Sequence, residues 1–240
     1  MKTLLVLALA AASLPRTAAA QVPAAPSPAP QADWANLAKY RDADARLGAP
    51  APGERRTVFF GDSITEYWNL GESFPGMGYI DRGIAGQTTP QMRQRFEQDV
   101  LALKPAVVVI LAGTNDIAGN TGPTTNESIE ENLRSFAETA KASGITVVLA
   151  SILPTARYGW KPKVEPVERI LAVNSWIKDY AGKNGLVYLD YYSALVDAKR
   201  GLKAELSGDG VHPNKAGYAV MAPLAADSLA RAARGAPAEK

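Results

Sequence analysis

Five strand-like runs punctuate this chain: Thr57–Phe60, the weaker Tyr79–Ile84, Ala106–Ala112, Ile145–Ile152 and Leu186–Tyr191, all largely apolar except the second. The third, AVVVILA, is the clearest, because β-branched residues dominate it and Gly113 follows it. Strands that are apolar on both faces belong to sheets covered on both sides, which favours parallel pairing under helices. Between the runs the period becomes helical. Thr89 can cap a helix with Pro90 in its first turn, and Met92, Phe96 and Val100 then share a face. Thr124-Thr125-Asn126-Glu127 has a capping-box pattern ahead of Ile129, Leu133, Phe136 and Ala140, and Gly144 closes that segment. Pro166–Ala181 carries Val167, Ile170, Leu171, Asn174 and Ile177 on one stripe. A last helix starts at Asn214, where Pro223 predicts a kink or a restart. Ahead of these, Asp33–Leu47 spaces Trp34, Leu37, Ala38, Arg41 and Ala45 as a short leading helix. Strand–helix alternation with right-handed crossovers predicts one α/β domain over residues 32–234. The expected fold is a three-layer α/β/α, flavodoxin-like, doubly wound domain with a mainly parallel five-stranded sheet. Its ligand site should lie beyond the carboxyl ends of the strands.

The chain ends differ from this pattern. Lys2, the apolar run Leu4–Ala12 and the small residues Ala18-Ala19-Ala20 read as a secretory signal peptide over residues 1–20. Its apolar part is too short for a stable membrane span. Residues 21–31 are a Pro/Ala-rich linker, and residues 235–240 read as a disordered tail. The expected location is therefore exported, periplasmic or extracellular, with no stable membrane insertion after signal removal.

Composition narrows the chemistry. The chain has no cysteine, so it has no disulfide, thiol nucleophile or cysteine zinc site. Lys and Arg number 26 against 24 Asp and Glu, and removing Lys2 and Arg16 with the signal leaves 24 against 24. A neutral mature chain offers no electrostatic reason to bind nucleic acid. Arg55-Arg56 and Arg93/Arg95 read as solvated faces rather than phosphate sites.

The chain has one histidine, His212, in Asp209-Gly210-Val211-His212-Pro213. Ser63 stands in Gly61-Asp62-Ser63-Ile64-Thr65, directly after the first apolar run. A serine hydroxyl needs an adjacent base to act as a nucleophile, and imidazole is suited to that work. If Ser63 is such a nucleophile with a histidine base, the base is His212, and Asp209 can orient it. Gly86 follows the second run and Asn115 the third, in Gly113-Thr114-Asn115-Asp116. The backbone N–H groups of Ser63 and Gly86 and the Asn115 amide are candidate donors to an oxyanion. Each piece has an ordinary structural alternative: a helix N-cap for Ser63, an Asx turn for Asn115-Asp116, a capping pair for Asp209 and His212. A metal site there lacks a third ligand of the usual kind.

Taken in order, the four blocks resemble those of the GDSL or SGNH hydrolase superfamily. They are Gly61-Asp62-Ser63-Ile64, Gly83 to Gly86, Gly113 to Asp116, and Asp209 to Pro213, within a resemblance running from about Thr57 to Ala230. Ile64 replaces the leucine of the family name. The α/β-hydrolase elbow is absent, because Thr65 stands where that motif needs glycine. The resemblance implies a catalytic triad of Ser63, His212 and Asp209, with an oxyanion hole from Ser63, Gly86 and Asn115. It implies no cofactor and no metal. Asp62 is expected to brace the nucleophile turn.

The implied reaction is two-step acyl transfer through an acyl-enzyme. The expected substrates are short-chain, acetyl-type esters, small or carried on polysaccharide. Trp68 after the nucleophile and Trp160 in the loop Pro154–Lys163 are candidate pocket walls. Alternatives on the same site are an O-acyltransferase, a lysophospholipase or a thioesterase; a non-catalytic carbohydrate-binding protein is a further one.

Overall fold

The structure, a computed structural model, describes residues 33–235. The signal-like segment, the linker and residues 236–240 lie outside the described residues. The elements run α1 (Ala38–Leu47), β1 (Thr57–Gly61), α2 (Ser63–Glu66), α3 (Leu70–Ser73), β2 (Ile80–Gly83), α4 (Thr89–Asp99), β3 (Val107–Leu111), α5 (Thr114–Ala118), α6 (Asn126–Ala142), β4 (Thr146–Ala150), α7 (Val167–Asn184), β5 (Val187–Leu189), α8 (Tyr192–Leu195) and α9 (Lys215–Arg234). Short 3₁₀ turns at Leu101–Leu103 and Ala204–Leu206 complete the order.

All five runs are strands, and all pair in parallel in the order β2-β1-β3-β4-β5. The sheet is thus wholly parallel and doubly wound, as the unalternated runs require. Successive residues of each strand feed opposite layers. Val58, Phe60, Val108, Ile110, Val147 and Leu149 pack under α4, α6 and α7, against Met92, Phe96, Phe136 and Val173. Phe59, Val107, Val109, Leu111, Val148 and Leu189 pack on the other face against Trp68, Phe74, Leu195, Met221 and Leu229.

Register places the chemistry. Gly61 of β1 is level with Gly83 of β2 and with Leu111 of β3. Ser63, Gly86 and Asn115 follow these by two, three and four residues, so all three leave the same edge of the sheet. The chain winds in one direction from β1 to β2 and in the other from β3 onward. The β1/β3 boundary is therefore the topological switch point where such sheets bind ligands.

Several local expectations change. The cap of α4 is Thr88, not Thr89: the Gln91 side chain accepts from the Thr88 N–H at 3.1 Å. Helix α9 runs from Lys215 to Arg234 through Pro223 without a restart, with Met221 and Ala225 buried on either side. Helix α1 begins at Ala38 and has no fully buried residue, and Trp34 and Leu37 are exposed. It is held by polar groups instead. Tyr40 donates to the Gly83 carbonyl, and Asp44 pairs with Arg82, whose guanidinium lies 4.6 Å from the Tyr40 ring centre.

Two of the arginines expected on solvated faces are interior. Arg95 is fully buried, donating to Gln87 Oε1, the Arg82 and Gly61 carbonyls and Asp99 Oδ2. It closes the hydrogen bonding of strand-end carbonyls and covers the Phe60 ring. Arg56 is also buried and donates to the carbonyls of Gly48, Leu47 and Leu103. Arg55 and Arg93 are exposed, as expected.

Candidate active site

The turn that carries Ser63 begins where β1 ends. Asp62, not Ser63, caps the short helix α2: its Oδ1 accepts from the Ile64 N–H at 2.9 Å. Capping by Asp62 leaves the Ser63 hydroxyl free for another partner. That partner is His212, whose Nε2 lies 2.8 Å from Ser63 Oγ. The turn sits hard against β2. A Cβ on Gly83 would lie 2.2 Å from the Glu66 backbone nitrogen and 2.7 Å from the Asp62 carbonyl oxygen. Only glycine allows that approach.

The opposing loop is built around Ser207. Its hydroxyl donates to the His212 carbonyl at 2.7 Å and accepts from the Gly210 N–H at 2.9 Å. Asp209 Oδ1 accepts from the backbone N–H groups of Val211 and His212, at 2.9 and 2.8 Å. Its Oδ2 lies 2.6 Å from His212 Nδ1. Burial works to raise the Asp209 carboxyl, but these hydrogen bonds outweigh it and hold the group down at about 2. A carboxylate that is ionised at neutral pH and faces Nδ1 accepts a hydrogen bond from that nitrogen, which leaves Nε2 as the acceptor facing Ser63.

The other two blocks meet across the switch point. Gly86 adopts a left-handed φ of 76° in the loop after β2. Asn115, 3% exposed near the start of α5, donates from Nδ2 to the Gln87 carbonyl at 3.0 Å. Asp116 fixes the two blocks together, accepting from the Thr89 N–H and hydroxyl. Burial pushes the Asp116 carboxyl up to about 6. Among the described residues, the Ser63 and Gly86 N–H groups have no protein acceptor. One hydrogen of Asn115 Nδ2 is likewise uncommitted.

The two expected pocket walls divide. Trp160 is 44% exposed and stacks near His212, with ring centres 6.3 Å apart and planes at 26°. Its loop is anchored by Tyr158, which is fully buried and bonded to Thr114 Oγ1 at 2.9 Å. Trp68 is mostly buried. It is 4% exposed and stacks on Tyr218, and it is among the residues lining a cavity of about 530 Å³. The exposed wall on that side is Tyr67, with its ring centre 5.5 Å from that of His212. Lys215 and Glu72, which also line this cavity, pair at 2.5 Å.

Sequence reasoning missed Ser207, Gly83 as a packing site, and Asn120, whose Nδ2 bonds both Gly86 O and Asn115 Oδ1. The only signal for Asn120 was its place between Gly119 and Gly122, which marks a tight loop rather than a role.

Comparison with known proteins places the chain in a family. The model of the GDSL-like lipase/acylhydrolase family matches residues 59–220. A crystal structure of a candidate acylhydrolase from Bacteroides fragilis is 42% identical with a TM-score of 0.81, covering 84% of this chain and 99% of that one. A GDSL-like lipase from Bacteroides thetaiotaomicron gives 39% and 0.80, covering 83% and 99%. An acetylxylan esterase of Geobacillus stearothermophilus is 29% identical over 61% of this chain and 69% of its own length. The chain belongs to the GDSL-like lipase/acylhydrolase family and is an ester-hydrolysing serine hydrolase.

Proposed function

We propose that the chain is an exported esterase that removes short, acetyl-type acyl groups from carbohydrate or small esters, with Ser63, His212 and Asp209 as its triad. The observation that carries this reading is the continuous hydrogen-bond sequence from Ser63 Oγ through His212 to Asp209, at 2.8 and 2.6 Å. His212 takes the Ser63 proton as Oγ attacks the ester carbonyl. The oxyanion forms facing the N–H groups of Ser63 and Gly86 and the free Asn115 hydrogen. His212 then protonates the departing alcohol, and water activated by the same ring releases the acid.

Tyr67 and Trp160 support the carbohydrate part of the reading. Exposed aromatic rings on two sides of the base suit the apolar faces of sugar rings better than a flexible alkyl chain. The acetylxylan esterase among the relatives points the same way. Export rests on the charged, apolar and small-residue order of residues 1–20.

The test is a panel of p-nitrophenyl esters of rising chain length, beside acetylated xylan and a lysophospholipid. Acetyl release is expected to dominate and to vanish in Ser63→Ala. Full activity of a folded Ser63→Ala protein overturns the mechanism, and preference for the lysophospholipid overturns the substrate.

A further inference from the structure

Asn120 lies outside the four sequence blocks, on the exposed loop after α5, yet every polar atom of its amide is engaged. Nδ2 donates to the Gly86 carbonyl at 3.1 Å and to Asn115 Oδ1 at 2.8 Å. Oδ1 accepts from Trp160 Nε1 at 3.0 Å. These partners fix the orientation of two amides in succession. An indole N–H can only donate, so Oδ1 of Asn120 must face Trp160. Nδ2 must then face Gly86 O and Asn115 Oδ1. The Asn115 amide is held so that its own Nδ2 faces the Gln87 carbonyl, a pure acceptor. One Asn115 hydrogen remains, and it is the one available to an oxyanion. A flipped Asn115 would present an oxygen to that charge instead.

We propose that Asn120 is a positioning residue that locks the Asn115 amide in its donating orientation and joins the oxyanion hole to the Trp160 platform. This rests on the reading of Ser63, Gly86 and Asn115 given above. Asn120 touches no reacting atom; it acts through Asn115, Gly86 and Trp160. The arrangement makes the donor geometry depend on the placement of an aromatic ring beside His212. A substrate ring stacked on Trp160 therefore bears on the same unit that receives the oxyanion.

The experiment compares Asn120→Asp and Asn120→Ala with the parent enzyme on p-nitrophenyl acetate, with rates corrected for folded fraction by near-UV circular dichroism. Asn120→Asp keeps the acceptor for Trp160 but turns an oxygen towards Gly86 O and Asn115 Oδ1. Its kcat is expected to fall about 10- to 100-fold, the size of effect seen when positioning is lost at a distance. KM should stay within about twofold, because ground-state binding is not removed. Trp160→Phe keeps the ring and removes the donor. It should lower kcat in the parent but add nothing in the Asn120→Ala background, since the two side chains act as one unit. Unchanged kcat in both Asn120 variants, a change confined to KM, or additive effects of Asn120→Ala and Trp160→Phe overturns the proposal while leaving the triad intact. A parent enzyme with no esterase activity, or an active Ser63→Ala, brings down the underlying reading as well.

Discussion

Asp209 grips His212 twice, with Oδ2 at 2.6 Å from Nδ1 and Oδ1 at 2.8 Å from the backbone N–H of the same residue. One carboxylate thus sets both the position of the loop and the tautomer of the ring. Asp209→Asn can keep the backbone bonds through its remaining oxygen but can present an N–H to Nδ1. The prediction is a fall in kcat of about 10²–10⁴ with the fold preserved, measured by steady-state kinetics beside a melting curve. A rate within threefold of the parent removes Asp209 from the triad. The depressed carboxyl also carries a linkage with a definite sign. Its stabilisation is full above the ordinary carboxylate range and is lost as pH falls towards about 2.

Asn115→Ala removes one side-chain donor from the proposed oxyanion hole. Turnover is expected to fall by about 10²–10³, the usual effect of losing one such donor. The Gln87 carbonyl also loses its partner, so Tm should drop slightly. A large loss in Tm with unchanged kcat assigns Asn115 to structure alone.

Burial gives Asp62, beside Ser63, a carboxyl that titrates near neutrality. Asp62 is 1% exposed, its Oδ2 has no hydrogen-bond partner among the described residues, and burial pushes the carboxyl up to about 7. A raised carboxyl stabilises the fold fully below the ordinary carboxylate range and loses that contribution as pH rises through about 7. Asp62→Asn cannot ionise. Its Tm relative to the parent is therefore expected to climb between pH 4 and pH 8, read by calorimetry at several pH values. A flat difference across that range shows that Asp62 does not titrate there.

Gly83→Ala tests the close approach of the Ser63 turn to β2. The new methyl group would meet the Glu66 nitrogen and the Asp62 carbonyl, both backbone atoms that cannot rotate away. Overpacking of this kind costs about 1–3 kcal/mol. The turn that carries Ser63 must move to relieve it, so kcat should fall together with Tm. An unchanged melting curve would show that the turn has slack.

The layering was legible in the sequence because its cause is local: an unalternated run such as Val107–Leu111 has nowhere to go but the middle of a covered sheet. The shared edge of Ser63, Gly86 and Asn115 was likewise legible from the strand ends, while His212 was paired with Ser63 only as the single histidine. What escaped is what depends on a partner distant in sequence. Arg95 looks like a surface charge until the Gly61 and Arg82 carbonyls are placed around it. Trp68 and Trp160 are the same residue type in similar polar surroundings, yet one stacks on Tyr218 in the core and the other stays exposed beside His212. No pattern along the chain distinguishes them. The reach of Asn120 to Gly86 spans 34 residues and exists only after β2 and β3 have been brought to one edge.

The Ser63–His212 hydrogen bond joins positions 149 residues apart, from the end of the first strand to the loop ahead of the last helix. The turn that carries Ser63 is therefore complete as a piece of chain long before His212 reaches it. On the proposed mechanism, hydrolysis reports on the docking of the C-terminal helix, not merely on sheet formation. In refolding, recovery of esterase activity should trail the recovery of helical signal. The chain thus carries an internal delay between collapse and competence, set by topology.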